Sequence, residues 1–463
     1  MYLTPVGQGP ESISASVKME DEEDSSKDVA VPSISADTTL RRLWEELNKI
    51  FINSEPEPSL ELKETSKFLG CSYKVIKNTT KSWRRWLEPN ILFNLDKFLN
   101  TETKLSKAVV YTKDTSGISD NEGLMAPKES IEIDYEKYVD VWAYGYFFCE
   151  WKGIPVILQL SNSNEWDYLA VSSSPDTFEQ AKAILGVFDD YQKKNCIYRN
   201  KHVYFTGDEI KFLPIEQVHY EDVVLDKDVL NDVKLNVVFP IRNKKLLNDN
   251  GMYWKRSLLL EGYPGTGKTK LCKALSNDVN CSVVWATSKS MSCESNISFS
   301  FYLSRLINPT LLIIEDIDLF ASDRDAENNP SKNGRLGELL NQLDGVENNE
   351  GLFVISTSNR WKLLDKAIVH RPSRVDVKVS FGFPKIEERI NLIRMFFTKF
   401  CNEISEEAIQ DLAKKTDNLT PAYIQEIAIY SKLLRLNSIE ATESVGRALK
   451  VVRGLTTESQ TVS

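Results

Sequence analysis

Short apolar runs followed by polar or glycine residues recur through the second half of the chain. Runs of this length are typical of strands buried on both faces of a parallel sheet. They lie at residues 257–260, 311–314 and 352–355. Beyond Pro384 the apolar residues recur at helical spacing instead. This second pattern predicts helices at 386–400, 405–415 and 421–436.

The first half of the chain predicts a different architecture. Apolar residues recur at helical spacing over 40–50 and 73–99, whereas residues 101–130 lack periodicity and are predicted to be a loop or linker. Further on, alternating apolar and polar residues predict strands, and a periodic stretch at 176–191 predicts a helix. The predicted strands lie at 139–151, 154–160 and 168–172, with a closing hairpin at 203–212. Together these elements predict a small α+β domain.

Composition and charge limit the possible classes of function. The chain has 463 residues, enough for two to four domains, and its net charge of −10 argues against wholesale electrostatic binding to nucleic acid or acidic membrane. Residues 1–37 are rich in Ser, Glu, Asp and Pro and predict a disordered acidic tail, with an acidic docking segment as the functional alternative. No apolar run approaches the roughly eighteen residues of a membrane-spanning helix. The sequence therefore predicts a soluble, intracellular, cytoplasmic protein.

A phosphate-binding motif follows the first apolar run. Residues 262–269 read Gly-Tyr-Pro-Gly-Thr-Gly-Lys-Thr, a complete G-x-x-x-x-G-K-[ST] loop between a predicted strand and a predicted helix. Its glycines let backbone N–H groups turn toward a phosphate, and the helix N-terminus adds positive charge. The lysine supplies a point charge, and the Thr269 hydroxyl is placed to ligate Mg²⁺. The residues expected to hold a nucleoside triphosphate are Gly262, Pro264, Gly265, Thr266, Gly267, Lys268, Thr269 and Lys270.

Polar residues also follow the other two apolar runs. Glu315, Asp316 and Asp318 come directly after the second run, and Asn359 follows the third. Because parallel strands end at the same edge of a sheet, these side chains should converge on the phosphate loop.

With these motifs in this order, residues 216–435 resemble the AAA+ ATPase family. Residues 358–376 are similar to the second region of homology that distinguishes the AAA subgroup, and residues 339–345 resemble the helix that precedes it. The resemblance implies a phosphate-loop ATPase module with a small helical lid. It also implies that Asn359 is the sensor that positions the attacking water.

The resemblance extends to the adenine end of the site. Residues 220–224 are similar to the family's entry segment, which implies that Val223 and Val224 hold adenine and that the nucleotide is ATP rather than GTP. The sequence Thr-Pro-Ala at 420–422 lies where the subgroup usually has Ser-Gly-Ala. A lid contact is therefore carried over to Ala422 only, because proline lacks the backbone donor that glycine offers.

An active site shared between subunits is a further implication. Arg371 and Arg374 would be arginine fingers that reach the γ-phosphate held by the neighbouring protomer, where charge spreads over the phosphoryl oxygens. Such a site implies a homo-oligomeric ring, usually a hexamer in this family.

The acidic pair departs from the family's usual Asp-Glu order. Glu315 precedes Asp316, and the shared Asp318 fixes the register. A similar inversion occurs in the Bcs-type branch of the family. By position, Glu315 would support Mg²⁺ together with Thr269, and Asp316 would polarise water. Since aspartate is one methylene shorter than glutamate, the expectation is either slow hydrolysis or an adjusted backbone at Asp316.

Two other segments bear on what the ring would act on. Unfoldases of the family carry an aromatic residue after the second strand, but residues 288–296 have none, and only Met291 could grip a client weakly. An ordinary polar loop is the alternative there. The sequence Trp-Arg-Arg-Trp at 83–86, within the second predicted helix, could clamp nucleic acid or simply pack into a core.

The sequence thus predicts an α/β protein built on a P-loop AAA+ module, with a parallel sheet flanked by helices plus a small helical lid, preceded by a helical region and a small α+β domain. The predicted divisions are a disordered acidic tail (1–37), a helical region with linker (38–130), the α+β domain (131–215), the large ATPase domain (216–384), the lid (385–455) and a disordered tail (456–463). The predicted function is an ATP-hydrolysing machine that remodels a protein client. A nucleic-acid motor or loader, and a nucleotide-gated scaffold with slow hydrolysis, are the alternatives.

Overall fold

A computed structural model of the protein describes residues 59–111, 124–163, 165–321, 330–344, 348–360, 374–400 and 404–460. All of them belong to one structural unit, Ser59–Ser463. The predicted acidic tail and the predicted helix at 40–50 lie outside the described residues.

The first part of this unit is an antiparallel sheet with helices packed on it. Its elements are α1 (Leu60–Leu69), β1 (Lys77–Arg84), α2 (Glu88–Thr101), β2 (Lys104–Val110), β3 (Leu124–Met125), β4 (Lys128–Asp134), β5 (Lys137–Trp142), β6 (Gly145–Trp151), β7 (Ile154–Asn162), β8 (Trp166–Ser173), α3 (Phe178–Ala181) and α4 (Ala183–Lys194). Six strands pair in the order β1-β8-β7-β6-β2-β3, and β4 and β5 form a separate hairpin. Phe98 of α2 and Phe188 of α4 pack edge to face, 5.5 Å apart, within the core above the sheet. The strands predicted at 154–160 and 168–172 and the helix predicted at 176–191 are confirmed.

Two predictions for this part are wrong. The region 73–99 is not helical throughout, because β1 fills its first half and α2 begins only at Glu88. β1 pairs with β8 along its whole length, with Trp83 opposite Asp167, so sheet pairing outweighs the helical spacing of Trp83 and Trp86. Strand β2 likewise forms inside the predicted linker, since β6 supplies its pairing partner.

The second part is a sheet flanked by helices. Its elements are β9 (His202–Phe205), β10 (Ile210–Phe212), α5 (Lys227–Asn236), α6 (Val238–Arg242), α7 (Lys244–Asp249), β11 (Arg256–Gly262), α8 (Lys268–Asp278), β12 (Ser282–Thr287), α9 (Glu294–Leu306), β13 (Thr310–Glu315), α10 (Asp318–Ala321), α11 (Pro330–Asp344), β14 (Leu352–Ser358) and β15 (Val377–Phe381). The strand order is β10-β9-β12-β13-β14-β11-β15, and every neighbouring pair except β10 with β9 is parallel. The predicted parallel sheet and its three apolar strands are confirmed.

The hairpin of β9 and β10 forms as predicted but does not close the smaller sheet. Instead β9 pairs in parallel with β12, placing Val203 opposite Val284, and so extends the larger sheet. The two parts consequently share one core, in which Trp86 contacts Phe205 and Phe299 at ring distances of 5.6 and 4.4 Å. The antiparallel sheet is therefore anchored on the sheet that carries the phosphate loop.

A helical bundle completes the described chain. It consists of α12 (Ile386–Lys399), α13 (Glu406–Lys415), α14 (Pro421–Leu436) and α15 (Ala441–Gln460) around its own apolar core. The three helices predicted from the sequence are confirmed, and α15 adds a fourth that continues beyond residue 455. Among the helices within the described ranges, none has the length and apolar character needed to cross a membrane.

A buried carboxyl group in the antiparallel sheet gives the first prediction. Asp167 is almost fully buried, and burial raises its pKa to about 6. Its Oδ1 lies 3.0 Å from the Tyr144 hydroxyl, which also contacts Glu88 and has a single hydrogen to donate. Because the folded pKa lies above the unfolded value, the free energy of unfolding falls as pH rises through about 4 to 6.

We expect Asp167→Asn to remove this pH dependence. Relative to the parent protein, the variant should gain about 1 to 2 kcal/mol more stability at pH 8 than at pH 5. Chemical denaturation at the two pH values measures this difference. Asp140→Asn, at an exposed position on β5, is the control and should show no such gain. An equal effect of Asp167→Asn at both pH values would contradict the assignment.

Candidate functional site

A cavity of about 380 Å³ lies where β11, β13 and β14 end and the lid begins. It is lined by most of the residues that the sequence singles out, namely Val223, Val224, Pro264, Gly265, Thr266, Gly267, Lys268, Thr269, Lys270, Glu315, Asp316, Asn359 and Ala422. Gly262 ends β11 immediately before this group and does not line the cavity. The convergence expected at the sheet edge is thus present in the fold.

The phosphate loop has the backbone shape that an anion cradle requires. Gly265 and Gly267 adopt φ values of 77° and 102°, which residues with a side chain rarely adopt. A Cβ atom on Gly265 would lie 2.7 Å from the Cβ of Ala422, so the loop and the lid touch at this point. A Cβ on Gly262 would overlap the backbone of Phe381. The loop therefore fits a phosphate chain, held by backbone N–H groups at the start of α8.

Lys268 is buried at the floor of this loop. Its Nζ donates hydrogen bonds to the carbonyl oxygens of Gly262 and Tyr263, at 2.7 and 3.0 Å. Burial lowers the pKa of Lys268, and the nearby charges of Asp316 and Asp318 oppose that effect. The ammonium group is held against the loop and lines the cavity, where it can bind a triphosphate.

The two adjacent carboxylates engage different partners. The Thr269 hydroxyl donates to Oε1 of Glu315 at 2.7 Å, whereas the Asn359 amide donates to Oδ1 of Asp316 at 2.7 Å. The backbone N–H of Asn359 also donates to Asp318, at 3.0 Å. A hydroxyl paired with a carboxylate is a suitable oxygen donor set for Mg²⁺. The second carboxylate, held by an amide, is suited to orient water.

The opposite end of the cavity is apolar and is closed by the lid. Val223 is buried, and Val224 packs against the lid core. Leu392 and Phe396 of α12 line the same end. Such a surface suits a flat purine base. The backbone N–H of Ala422 donates to the Gly265 carbonyl at 3.1 Å, so the contact predicted for Ala422 reaches the loop itself.

The structure describes only one of the two predicted arginine fingers. Arg371 lies outside the described residues. Arg374 is buried, and its guanidinium makes a bidentate pair with Asp344, with Nε and Nη2 at 2.7 and 2.5 Å from the carboxylate oxygens. In the isolated chain Arg374 is therefore bound to its own protomer, and its role at a neighbour's site stays a prediction.

The segment proposed for the pore offers no gripping residue. Met291 is fully buried and its backbone N–H donates to Thr287, so the prediction that it could hold a client is wrong. Apolar packing beneath α9 holds the thioether inside, and α9 begins at Glu294.

The tryptophans of the Trp-Arg-Arg-Trp sequence pack within the protein instead of forming a binding surface. Trp83 is buried and donates from Nε1 to Asp189 at 3.0 Å. Arg84 stacks 4.2 Å above the Trp166 ring and lies 3.4 Å from Glu165. The packing alternative is the better supported of the two, since both tryptophans have partners within the chain.

Sequence reasoning missed several residues of the cavity. They are Asp222, Thr357, Leu392, Phe396 and Gln425, and the cavity is also lined by Pro421, which the sequence argument had set aside in favour of Ala422. Leu392 and Phe396 could have been found from their four-residue spacing on a predicted lid helix. Thr357 carries no local signal, because its importance depends on the pairing of β13 with β14.

Comparison with known proteins agrees with this geometry. The family model described as "ATPase family associated with various cellular activities (AAA)" matches residues 258–383. The chain is 28% identical over 257 residues to the ATP-dependent zinc metalloprotease FtsH 2 of Thermoanaerobacter sp. (strain X514), which covers 53% of this chain and 49% of that protein. It is 30% identical over 231 residues to the mitochondrial chaperone BCS1 of Homo sapiens, which covers 49% and 55%. It is 31% identical over 217 residues to the ATP-dependent zinc metalloprotease YME1 homolog of Schistosoma mansoni, which covers 45% and 32%. The chain thus spans about half or less of the length of these relatives.

Proposed function

Since the chain contains an AAA-family ATPase domain, we propose that it binds Mg²⁺ and ATP, hydrolyses the ATP, and acts as a ring that remodels a protein client. The observation that carries this proposal is the cavity in which the phosphate loop faces Glu315, Asp316 and Asn359. Bound ATP supplies the phosphoanhydride bond whose hydrolysis drives the work.

The residues around the phosphate loop have distinct proposed tasks. Lys268 and the loop N–H groups hold the phosphates, and Thr269 with Glu315 would ligate Mg²⁺. Asp316, fixed by Asn359, orients the attacking water and accepts its proton. The apolar end under the lid holds adenine, which supports ATP as the nucleotide.

The need to compensate the negative charge of the phosphates supports a contribution to the site from a second protomer. Among the described residues that line the cavity, the cations are Lys268 and Lys270. An additional cation stabilises the transition state of phosphoryl transfer. An arginine finger that supplies this cation raises the rate about 10³- to 10⁵-fold. Arg371, with Arg374 as the second candidate, is proposed to bring that cation across the interface of a ring, with a hexamer as the proposed state.

Mixing two inactive variants tests the shared site. Lys268→Ala removes the loop's cation and Arg371→Ala removes the proposed finger, so each pure variant should be nearly inactive. In a randomly mixed ring, about a quarter of the interfaces combine an intact loop with an intact finger, and about that fraction of parent ATPase activity should return. Arg374 is less suitable for this test, because its removal also breaks the buried pair with Asp344.

The mixed preparation must be compared with each pure variant at the same total protein concentration. Failure of the mixture to exceed the pure variants would contradict the shared site. Full hydrolysis by a strictly monomeric parent protein would also contradict it.

A protein client is preferred to nucleic acid for a specific reason. One of the cavities beside the Trp-Arg-Arg-Trp sequence is lined by four carboxylates, those of Glu88, Glu165, Asp208 and Glu209, against Arg84 and Arg85. This balance disfavours a phosphate backbone. Stimulation of ATPase activity by single- or double-stranded DNA, lost at higher salt, would instead favour the nucleic-acid motor.

The cellular compartment is also a proposal. The sequence favours the cytoplasm, whereas one relative is named a mitochondrial chaperone. Fractionation of cells that produce the full chain distinguishes the two compartments.

A further inference from the structure

The backbone at Asp316 departs from strand geometry at the point where the acidic pair is inverted. Glu315 is the last residue of β13, and Asp316 adopts a φ of 57°, in the left-handed region. Asp and Asn are enriched several-fold in that region, because their short polar side chains tolerate it, whereas longer side chains are disfavoured there. The position therefore selects aspartate over glutamate on backbone grounds alone.

This turn changes which way the second carboxylate points. Along a strand, successive side chains point to opposite faces of the sheet, so Asp316 would face away from Glu315 if β13 continued. Instead, both carboxylates line the same cavity. The left-handed turn thus brings Asp316 within 2.7 Å of the Asn359 amide and leaves Glu315 beside Thr269.

Thr357 of β14 holds the turn through two consecutive N–H groups. Its hydroxyl accepts from the backbone N–H of Asp316 at 3.1 Å, and its carbonyl accepts from the N–H of Ile317 at 2.9 Å. The Thr357 side chain is almost fully buried and lines the cavity. The contact joins residues 41 positions apart and depends on the pairing of the two strands.

We propose that Thr357 is a positioning residue for ATP hydrolysis, because it fixes the left-handed turn that re-aims the shorter carboxylate of Asp316 and so offsets the inverted Glu-Asp order. The inference rests on the proposed function, since it assigns Asp316 to the attacking water. Thr357 acts through Asp316, so its removal should affect kcat rather than the binding of the nucleotide.

The test compares Thr357→Val, which removes the hydroxyl at nearly constant shape, with Thr357→Ser, which keeps it. We expect Thr357→Val to lower kcat about tenfold to a hundredfold with KM for ATP changed less than about twofold, and Thr357→Ser to restore most of the rate. Ser356→Ala, a buried neighbour on the same strand, is the control for strand packing and should retain the parent kcat. Unchanged kcat in Thr357→Val, or an equal loss in Thr357→Ser, would overturn the proposal.

Substitution at Asp316 tests the turn from the other side. Asp316→Glu keeps the charge and restores the usual length, yet its kcat should fall several-fold, because glutamate disfavours the left-handed region. A kcat at or above the parent value would overturn the backbone argument.

A stability measurement separates this inference from the proposed function. Asp316→Gly should unfold about 1 to 2 °C above Asp316→Ala, since glycine, unlike alanine, adopts the turn without strain. If the parent protein does not hydrolyse ATP, the proposed function fails, and this comparison still decides whether the turn is selected. Equal melting temperatures for the two variants would show that it is not.

Discussion

Lys268→Ala is expected to weaken ATP binding at least about a hundredfold and to abolish hydrolysis. The ammonium group is the buried cation at the floor of the phosphate loop, where its Nζ already contacts two loop carbonyls. Without it, the negative charge of the triphosphate would face Asp316 and Asp318 with far less compensation. Equilibrium titration with a fluorescent ATP analogue, followed by displacement with ATP, measures the loss.

Lys273→Ala is the matched control for this variant. Lys273 lies on the same helix, but its ammonium pairs with Glu216 at 2.7 Å and does not line the nucleotide cavity. Its substitution should leave ATP affinity within about twofold of the parent value, because a partly exposed ion pair contributes little. Similar affinity losses in both variants would point to general damage to α8 and against the assigned role of Lys268.

Asp316→Asn should separate binding from hydrolysis. The amide keeps the size of the side chain and its fit to the left-handed turn, but it cannot accept a proton from water. Hydrolysis should therefore fall at least about a hundredfold, while ATP affinity changes less than about threefold. Steady-state phosphate release and direct binding measurements together check both parts.

Asp232→Asn, on the exposed surface of α5, controls for the loss of one negative charge. It should leave both hydrolysis and binding unchanged. Near-parent hydrolysis by Asp316→Asn would remove Asp316 from the reaction and contradict its assigned role.

The sequence predicted the ATPase half of the fold because its signals are local. Four-residue apolar runs fix buried strands, and the glycine-rich loop is recognisable without knowledge of its neighbours. Gly265 illustrates this, since its left-handed backbone belongs to the motif itself. The same reasoning located Glu315, Asp316 and Asn359, because parallel strands end at a common edge.

Features that depend on distant pairing could not be predicted. Trp83 and Trp86 are three positions apart, as on a helix face, but the register of β1 against β8 places Trp83 in a strand, and Trp86 follows in a short 3-10 helix. The sequence also gives no local signal for Thr357, since its hydroxyl contacts the Asp316 N–H only because β13 and β14 are paired. The structure gives Asp316 a φ of 57°, and the expectation that this residue acts through an adjusted backbone stays a prediction.

The hairpin that extends the larger sheet has a consequence for dissecting the protein. A fragment beginning at residue 216 would lack β9, the neighbour of β12. Strand β12 would then be an edge strand, and its unpaired backbone N–H and C=O groups could pair with any exposed strand nearby. Aggregation of such a fragment would therefore result from the incomplete sheet and would not indicate assembly of a functional oligomer. A trimmed version that keeps the ATPase architecture whole must start upstream of His202.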